Sequence, residues 1–507
     1  MSLQWHAPPN NRYEMKKILS LIPSFLFLGS ALCFPQWGPD VRLTQTTIEC
    51  STTSSNGRSI VSDTSGFLHV AWLQRARYST RSTLWYRRWR GLWEAPVQLT
   101  DSTAFGGYYD ASFSAAANNL GEVLVVWNDF RLEIWCRNST DGGSSWNPEV
   151  RLTNVYGMSV SPSITTLGAA VHVVWLDYRD GPTGQVYYKR RVGGAWSQDT
   201  ALTAQTDTLD YPTVACDSAG RVFVAWWKAR NGKGELWFKR YNGVSWDPGV
   251  RLSQDTISYP ALSNLPSMAV KGNGEIHLFW NGGDDEIYYK HSSDGGAAWG
   301  SDVRLTYDPA EKLWPSGGAG PGNRVQVAWA DARTNPVFGD IYFKESSDGG
   351  QTWSSDTQLT ADDPSSAGSV CPTLAVDPTG RLHVVWMDCR DTVYQVYYKS
   401  RAPLGIETTS SSLKPRTFEL SQNHPNPWKE VTSIAYSLLV ESQVELRVYN
   451  PMGQLVRTLV DSEQSAGSKR VAWDGRDDLG RDVPSGVYFY CLQAGKFSDT
   501  KKMVLIH

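Results

Sequence analysis

Four loops share the pattern Trp-x-Asp-x-Arg, which sets an acid and a base two residues apart: Asp129 with Arg131, Asp177 with Arg179, Asp331 with Arg333, and Asp388 with Arg390. Such pairs readily form fork-shaped, charge-assisted hydrogen bonds. A ring of them could grip a charged ligand, but one site rarely needs the same pair four times, and a structural turn accounts for the pattern. The departures are more informative: Lys228 with Arg230 in one loop, and Gly282 followed by Asp284, Asp285 and Glu286 in another. A second set places an aromatic side chain at the entry to a strand: Tyr109, Tyr211 before Pro212, Tyr259 before Pro260, and Trp314 before Pro315. The first unit has Gly57 and Arg58 in that place. Aromatic faces around a polar funnel suit stacking on the C–H faces of sugars; rim packing over the strand ends is the alternative. Arg58, Tyr109, Tyr211, Lys228, Arg230, Tyr259, Asp284 and Trp314 are therefore the candidate ligand residues.

No other chemistry is announced by motif. His69, His172, His277 and His383 recur at one repeat position, and recurrence points to packing or hydrogen bonding, not to a metal cluster. No metal-ligand spacing, phosphate loop or nucleophile elbow is visible, so no metal and no cofactor are expected. A formal net charge of −3 gives no basic face of the kind nucleic acid requires.

The elements that position these residues are repeats. An apolar run ending in tryptophan occurs seven times, from Leu68–Trp72 to His383–Trp386, at a spacing of about 50 residues, the period of a four-stranded propeller blade. A second strand follows most copies, as in Val186-Tyr187-Tyr188-Lys189. A third element begins at a tryptophan and ends in Leu-Thr or Leu-Ser, as from Trp196 to Thr203. This element also appears at Trp37 to Thr44, before any first blade, and is missing after the last one. The N-terminal copy is thus expected to complete the final blade and pair its open edge. The reading is all-β: a seven-bladed propeller (six or eight as alternatives) closed by an N-terminal strand, plus a C-terminal Ig-like sandwich. B–C and D–A loops share the face where a pocket forms over the central channel.

Three connections carry Ser-x-Asp-x-Gly-x-x-Trp: Ser139, Asp141, Gly143, Trp146; Ser292, Asp294, Gly296, Trp299; and Ser346, Asp348, Gly350, Trp353. The oxygens accept backbone N–H bonds, glycine supplies positive φ, and the tryptophan plugs the gap between sheets. Here residues 34–403 resemble the Asp-box, or BNR-repeat, proteins of the sialidase-like propeller superfamily. The resemblance implies that the box is a folding turn far from the pocket. It also implies three arginines for a substrate carboxylate, an Arg-Ile-Pro segment, a tyrosine–glutamate nucleophile pair and an acid/base aspartate. Arg58-Ser59-Ile60-Val61 echoes the first segment without its proline, and no other catalytic residue can be placed by motif.

Met15-Lys16-Lys17, an apolar stretch from Ile18 to Leu28, and Gly29, Ser30 and Ala31 read as an export signal cleaved near residue 33, with residues 1–14 an over-called start. No other segment is apolar enough to be transmembrane. Export permits disulfides. Cys371 and Cys389 flank the hairpin turning at Asp377–Gly380 and are the best candidate pair, with buried free thiols the alternative; Cys50, Cys136, Cys216 and Cys491 have no obvious partner.

Residues 404–418 read as a polar linker. Residues 419–507 alternate as short strands: 433–438, 444–449, 470–473, 486–492 and 502–506, which suits an Ig-like sandwich. Asn423-His424-Pro425-Asn426-Pro427, Tyr449 to Gly453, Trp473-Asp474-Gly475 and Ser485 to Tyr488 resemble type IX secretion C-terminal sorting domains and the related Ig-like domain of flagellar hook-capping proteins. That resemblance implies secretion machinery as a partner of residues 419–507 and a secreted or outer-surface location. The function expected is binding of a glycan or another extracellular polymer. An exo-acting glycoside hydrolase of sialidase type, and a structural or adhesive surface protein, are the alternatives.

Overall fold

The computed structural model describes residues 37–506 except 54–56, 76–81, 101–111, 130, 156, 205, 231–232, 254–256, 259–264, 335–338, 361–367, 392, 404–418, 421–422, 424, 439–440, 466 and 496. The export signal, the linker, Tyr109 and Tyr259 lie outside the described residues. The chain divides into two compact units, Met1–Gly405 and Ile406–His507. No helix is long and apolar enough to cross a membrane among the described residues.

Among the described residues the first unit holds seven antiparallel sheets, I to VII in chain order. Each runs from strand A to strand D, as in sheet VI: Lys312–Ala319, Val325–Asp331, Asp340–Ser346 and Thr357–Gln358. The B strands are covered on both faces, so they read as unbroken apolar runs. Their last tryptophans, Trp72, Trp127, Trp175, Trp226, Trp280, Trp329 and Trp386, are all buried. The A strands touch in cyclic order, and Ser369–Val376 of sheet VII meets Ile60–Ser62 of sheet I. Sheet VII takes its D strand from Val41–Arg42, with Val41 opposite Tyr398 and Arg42 opposite Tyr397.

The Leu-Thr element has a physical reason. In every sheet the terminal Thr or Ser hydroxyl accepts an N–H from strand C, for example Ile341 N to Thr360 at 2.9 Å and Val396 N to Thr44 at 3.0 Å. The preceding leucine is buried. Its carbonyl accepts a bond from a strand-C cation of the next sheet, as when Lys239 reaches Leu202 at 2.7 Å and Lys290 reaches Leu252 at 2.9 Å. At the chain's own seam Arg87 of sheet I reaches Leu43 at 2.6 Å. Several of the tryptophans that open the D elements pack edge-on against a neighbouring ring: Trp246 on Tyr188, Trp299 on Phe238, and Trp37 on Phe343.

Cys371 and Cys389 are both free thiols, which corrects the expected bridge. The register explains it. Asp388 lies opposite Ser369, so Cys389 falls past the place where Cys371 could face it, and a bulge between Val370 and Thr373 displaces Cys371 further.

The second unit packs Glu419–Leu420, Thr432–Leu438 and Gly467–Trp473 as one sheet. The other holds Leu455–Gln464, Ser442–Tyr449, Gly486–Ala494 and Phe497–Leu505. Trp428, Trp473, Ile434, Leu446 and Tyr490 are buried between strands of this unit. Leu455–Gln464 was not expected as a strand. It pairs on one side only, with two register shifts, and its side chains are half-buried or exposed, so no clean alternation marks it. Asn423 bonds the Pro425 carbonyl at 3.1 Å and Thr432 at 2.9 Å, which gives the Asn-x-Pro run a structural task.

Candidate functional site

Four A strands carry the same irregularity. Register shifts fall between Val160 and Ser163, Asp210 and Thr213, Leu313 and Ser316, and Val370 and Thr373. Within them Ser161, Tyr211, Trp314 and Cys371, each followed by proline, adopt φ of 52°, 48°, 52° and 52°. Non-glycine residues rarely sit there, and bulky ones still more rarely. A bulge re-aims its side chain, and strain repeated at one place is a mark of a functional rim. Two of the four, Tyr211 and Trp314, are the described members of the expected aromatic set.

Sheet I differs. Its A strand is split into Glu49–Ser51 and Ile60–Ser62, both pairing with Leu68–Arg75. Gly57 lies in the break, and a Cβ there would come within 1.9 Å of the Phe113 carbonyl, so only glycine lets the chain pass. Arg58 follows. It lines two cavities of the channel between the A strands, one of about 30 Å³ shared with Trp314 and one of about 220 Å³. One guanidinium nitrogen donates to the Met268 carbonyl at 3.0 Å. No carboxylate pairs with Arg58 among the described residues, and burial lowers its pKa from the ordinary arginine value. A guanidinium carries a fork of N–H donors whose spacing matches a carboxylate or phosphate.

Asp210, beside Tyr211, was missed in the sequence. It is half-buried, accepts the Tyr211 N–H at 2.9 Å, and joins no ion pair among the described residues. Burial pushes its pKa up to about 7. Because the folded carboxyl holds its proton above the unfolded value, this residue disfavours folding progressively from pH 4 to pH 7. Asp210→Asn should therefore stabilise the protein above pH 7, on the order of 2 kcal/mol, and hardly at all at pH 4. Urea midpoints at the two pH values check it; equal shifts would refute the assignment.

Residues 432–496 match the FlgD Ig-like domain. No curated protein matches the sequence significantly. Among solved structures, a lectin from Burkholderia pseudomallei is 12% identical with a TM-score of 0.47, covering 66% of this chain and 96% of its own. An ulvan lyase bound to -[GlcA(1-4)Rha3S]- is 11% identical with a TM-score of 0.49, covering 70% and 95%. The NanB sialidase from Streptococcus pneumoniae is 12% identical with a TM-score of 0.40, covering 72% and 71%.

Of the described candidates Arg58 and Trp314 line these cavities, and Tyr211, Lys228, Arg230 and Asp284 do not. Lys228 is buried, paired with Asp207 at 2.8 Å and set 4.8 Å over the Trp237 ring. Arg230 is placed by its backbone opposite Lys233. Asp284 is exposed, accepts the Tyr288 hydroxyl at 2.9 Å, and lies 3.4 Å from Arg304. The Trp-x-Asp-x-Arg loops are knit into the sheets. Asp177 takes two bonds from Arg179, at 2.8 and 2.6 Å, and one from Trp175 at 2.7 Å, while Arg179 reaches on to Asp199 at 2.8 Å. Asp388 takes two bonds from Arg390 in the same way, at 2.9 and 2.5 Å, while Asp331 takes one from Arg333, at 2.6 Å.

The three Ser-x-Asp-x-Gly turns close on themselves. Ser139 donates to Asp141 at 2.7 Å and accepts the Gly143 N–H at 2.7 Å, and Asp141 accepts the N–H groups of Ser144 and Ser145 at 2.9 and 2.8 Å. The turns at Ser292–Asp294 and Ser346–Asp348 repeat this. A Cβ on Gly143 would fall 1.9 Å from the Tyr86 hydroxyl of the neighbouring sheet, so the glycine permits close approach as well as positive φ. The bond from the Thr352 hydroxyl holds Asp348 down at about 2, so its contribution to the turn is lost progressively as pH falls from about 4 through about 2. Ser139→Ala strands the buried Gly143 N–H and should lower stability by about 1–2 kcal/mol. Unchanged urea denaturation would show that the hydroxyl does not hold the turn.

Proposed function

We propose that this protein is exported and that residues 34–403 form a seven-bladed, Asp-box propeller latched by its N-terminal strand. In this reading the propeller binds an acidic extracellular glycan at the mouth of its channel. The observation that carries the ligand class is Arg58, a channel cation with no acidic partner among the described residues. Its guanidinium would take a carboxylate or sulfate, while Trp314 and Tyr211 would stack on the sugar ring. Residues 419–507 act as the sorting module; the match at 432–496 and the ordered motifs of that unit support this part. A glycan array carrying acidic polymers beside their neutral counterparts tests the ligand. Binding to the acidic set, lost in the Arg58→Met, Trp314→Ala double variant, is expected. Unchanged binding in that variant would rule out the channel mouth.

Asp210 favours a second reading, an exo-acting glycosidase of the sialidase type. A carboxyl that keeps its proton to about pH 7 can protonate a leaving oxygen. Sugar release from a fluorogenic sialoside that disappears in Asp210→Asn would establish this reading. No release from a panel of such substrates would leave binding alone.

A further inference from the structure

Sheet V breaks the pattern of the strand-B histidines. In sheets I and VII both ring nitrogens are used. His69 and His383 set Nδ1 on a strand-C tyrosine hydroxyl, at 2.7 and 2.9 Å, and Nε2 on Asp63 and Asp377, at 3.3 Å each. His277 keeps the first contact, 2.9 Å to Tyr289. The Tyr289 hydroxyl donates its hydrogen to the Gly349 carbonyl at 3.1 Å, so Nδ1 of His277 must carry the proton and Nε2 must be a bare lone pair. The turn position occupied by Asp63 and Asp377 is Lys271 here. His277 is 0% exposed, and its Nε2 has no hydrogen-bond partner among the described residues.

That lone pair faces two other donors. His291 lies directly opposite His277 across Ile276–Asn281 and Ile287–Ser292, so both rings project from one sheet face. Glu275, two residues before His277, shares that face. Glu275 Oε1 is 3.3 Å from His277 Nε2 and 3.2 Å from His291 Nε2. All three donor atoms lie within 4.8 Å of one another. Tetrahedral zinc with bonds of about 2.0–2.1 Å holds its ligand atoms about 3.3–3.5 Å apart. Burial, then the Lys271 charge, hold the His277 ring neutral, with its pKa down at about 3.

We propose that Glu275, His277 and His291 form a binding site for a borderline divalent transition ion, zinc foremost. Two imidazoles and one carboxylate are the donor set such ions select, and an all-oxygen cage for calcium or magnesium is absent from this cluster. Lys271 sits 3.1 Å from Glu275 Oε2, which leaves Oε1 as a single donor and weakens the site by like-charge repulsion. Partly exposed His291 gives access to solvent and leaves a fourth position for water. The ion would clip the A–B turn of sheet V to its strand C.

The test uses the full chain without a polyhistidine tag, stripped with chelator and then titrated with zinc by calorimetry and with cobalt(II) by visible absorption. One equivalent and a tetrahedral cobalt band are expected. His291→Ala and Glu275→Gln should each weaken binding at least tenfold, and Lys271→Met, which removes the opposing charge, should tighten it several-fold. Absence of a saturable single-equivalent band would overturn the proposal. So would affinities unchanged in Glu275→Gln and Lys271→Met.

Discussion

Replacing Arg58 with methionine is expected to stabilise the first unit by about 1–2 kcal/mol and to weaken its hold on an acidic glycan at least about a hundredfold. The two signs come from one cause. Arg58 has lost much of its water and, among the described residues, has a single carbonyl and no carboxylate in return, so its charge is poorly balanced in the folded state. A methionine of similar length fills the space without that cost, as happens when other buried ions are replaced by apolar side chains. The same imbalance makes the guanidinium available to a ligand. A structural arginine would behave oppositely: its loss would lower the urea midpoint and leave binding intact. Measuring midpoint and affinity on the same preparation separates the two roles.

How much of this was readable in the sequence depends on what each residue's task leaves behind. The Leu-Thr endings and opening tryptophans recur because every sheet needs the same hydroxyl acceptor and the same wedge, and repetition is visible without coordinates. Tyr211 and Trp314 are legible as aromatic residues at the entry to a strand, although nothing in the Tyr-Pro or Trp-Pro pair announces a positive φ. That φ arises from the bulge, which shifts register by one and belongs to the pairing, not to either residue. The burial of Asp210 cannot be read from one acidic letter. Lys228 and Asp284 attracted attention as exceptions to a pattern. Their partners, Asp207 and Arg304, come from other stretches of chain, so their satisfaction was invisible. The pairing assumed for Cys371 and Cys389 failed at the same bulge, where counting residues from the turn ceases to give facing positions.

Deleting the segment through Thr44 should have the largest effect on stability. Val41–Arg42 covers the edge of Gln395–Arg401, Thr44 accepts the Val396 N–H at 3.0 Å, and Leu43 is buried. Asp40 binds Arg390 and Lys399, each at 2.8 Å, as Asp199 binds Arg179 and Lys189 at 2.8 and 2.9 Å inside sheet III. The deletion exposes a strand edge, empties a leucine site worth about 2–5 kcal/mol, removes one acidic partner from Arg390 and Lys399, and takes the Leu43 carbonyl from Arg87. Together these terms rival the roughly 5–15 kcal/mol that holds a domain folded. The truncated chain should therefore lose cooperative unfolding and aggregate through the open edge. A milder comparison guards against a trivial failure to fold. If the terminal segment is equivalent to an internal outer strand, Asp40→Asn and Asp199→Asn should cost the same to within about 0.5 kcal/mol. A truncated chain with the parent's denaturation midpoint, or an Asp40→Asn without cost beside a costly Asp199→Asn, would mean that the ring is held without its latch.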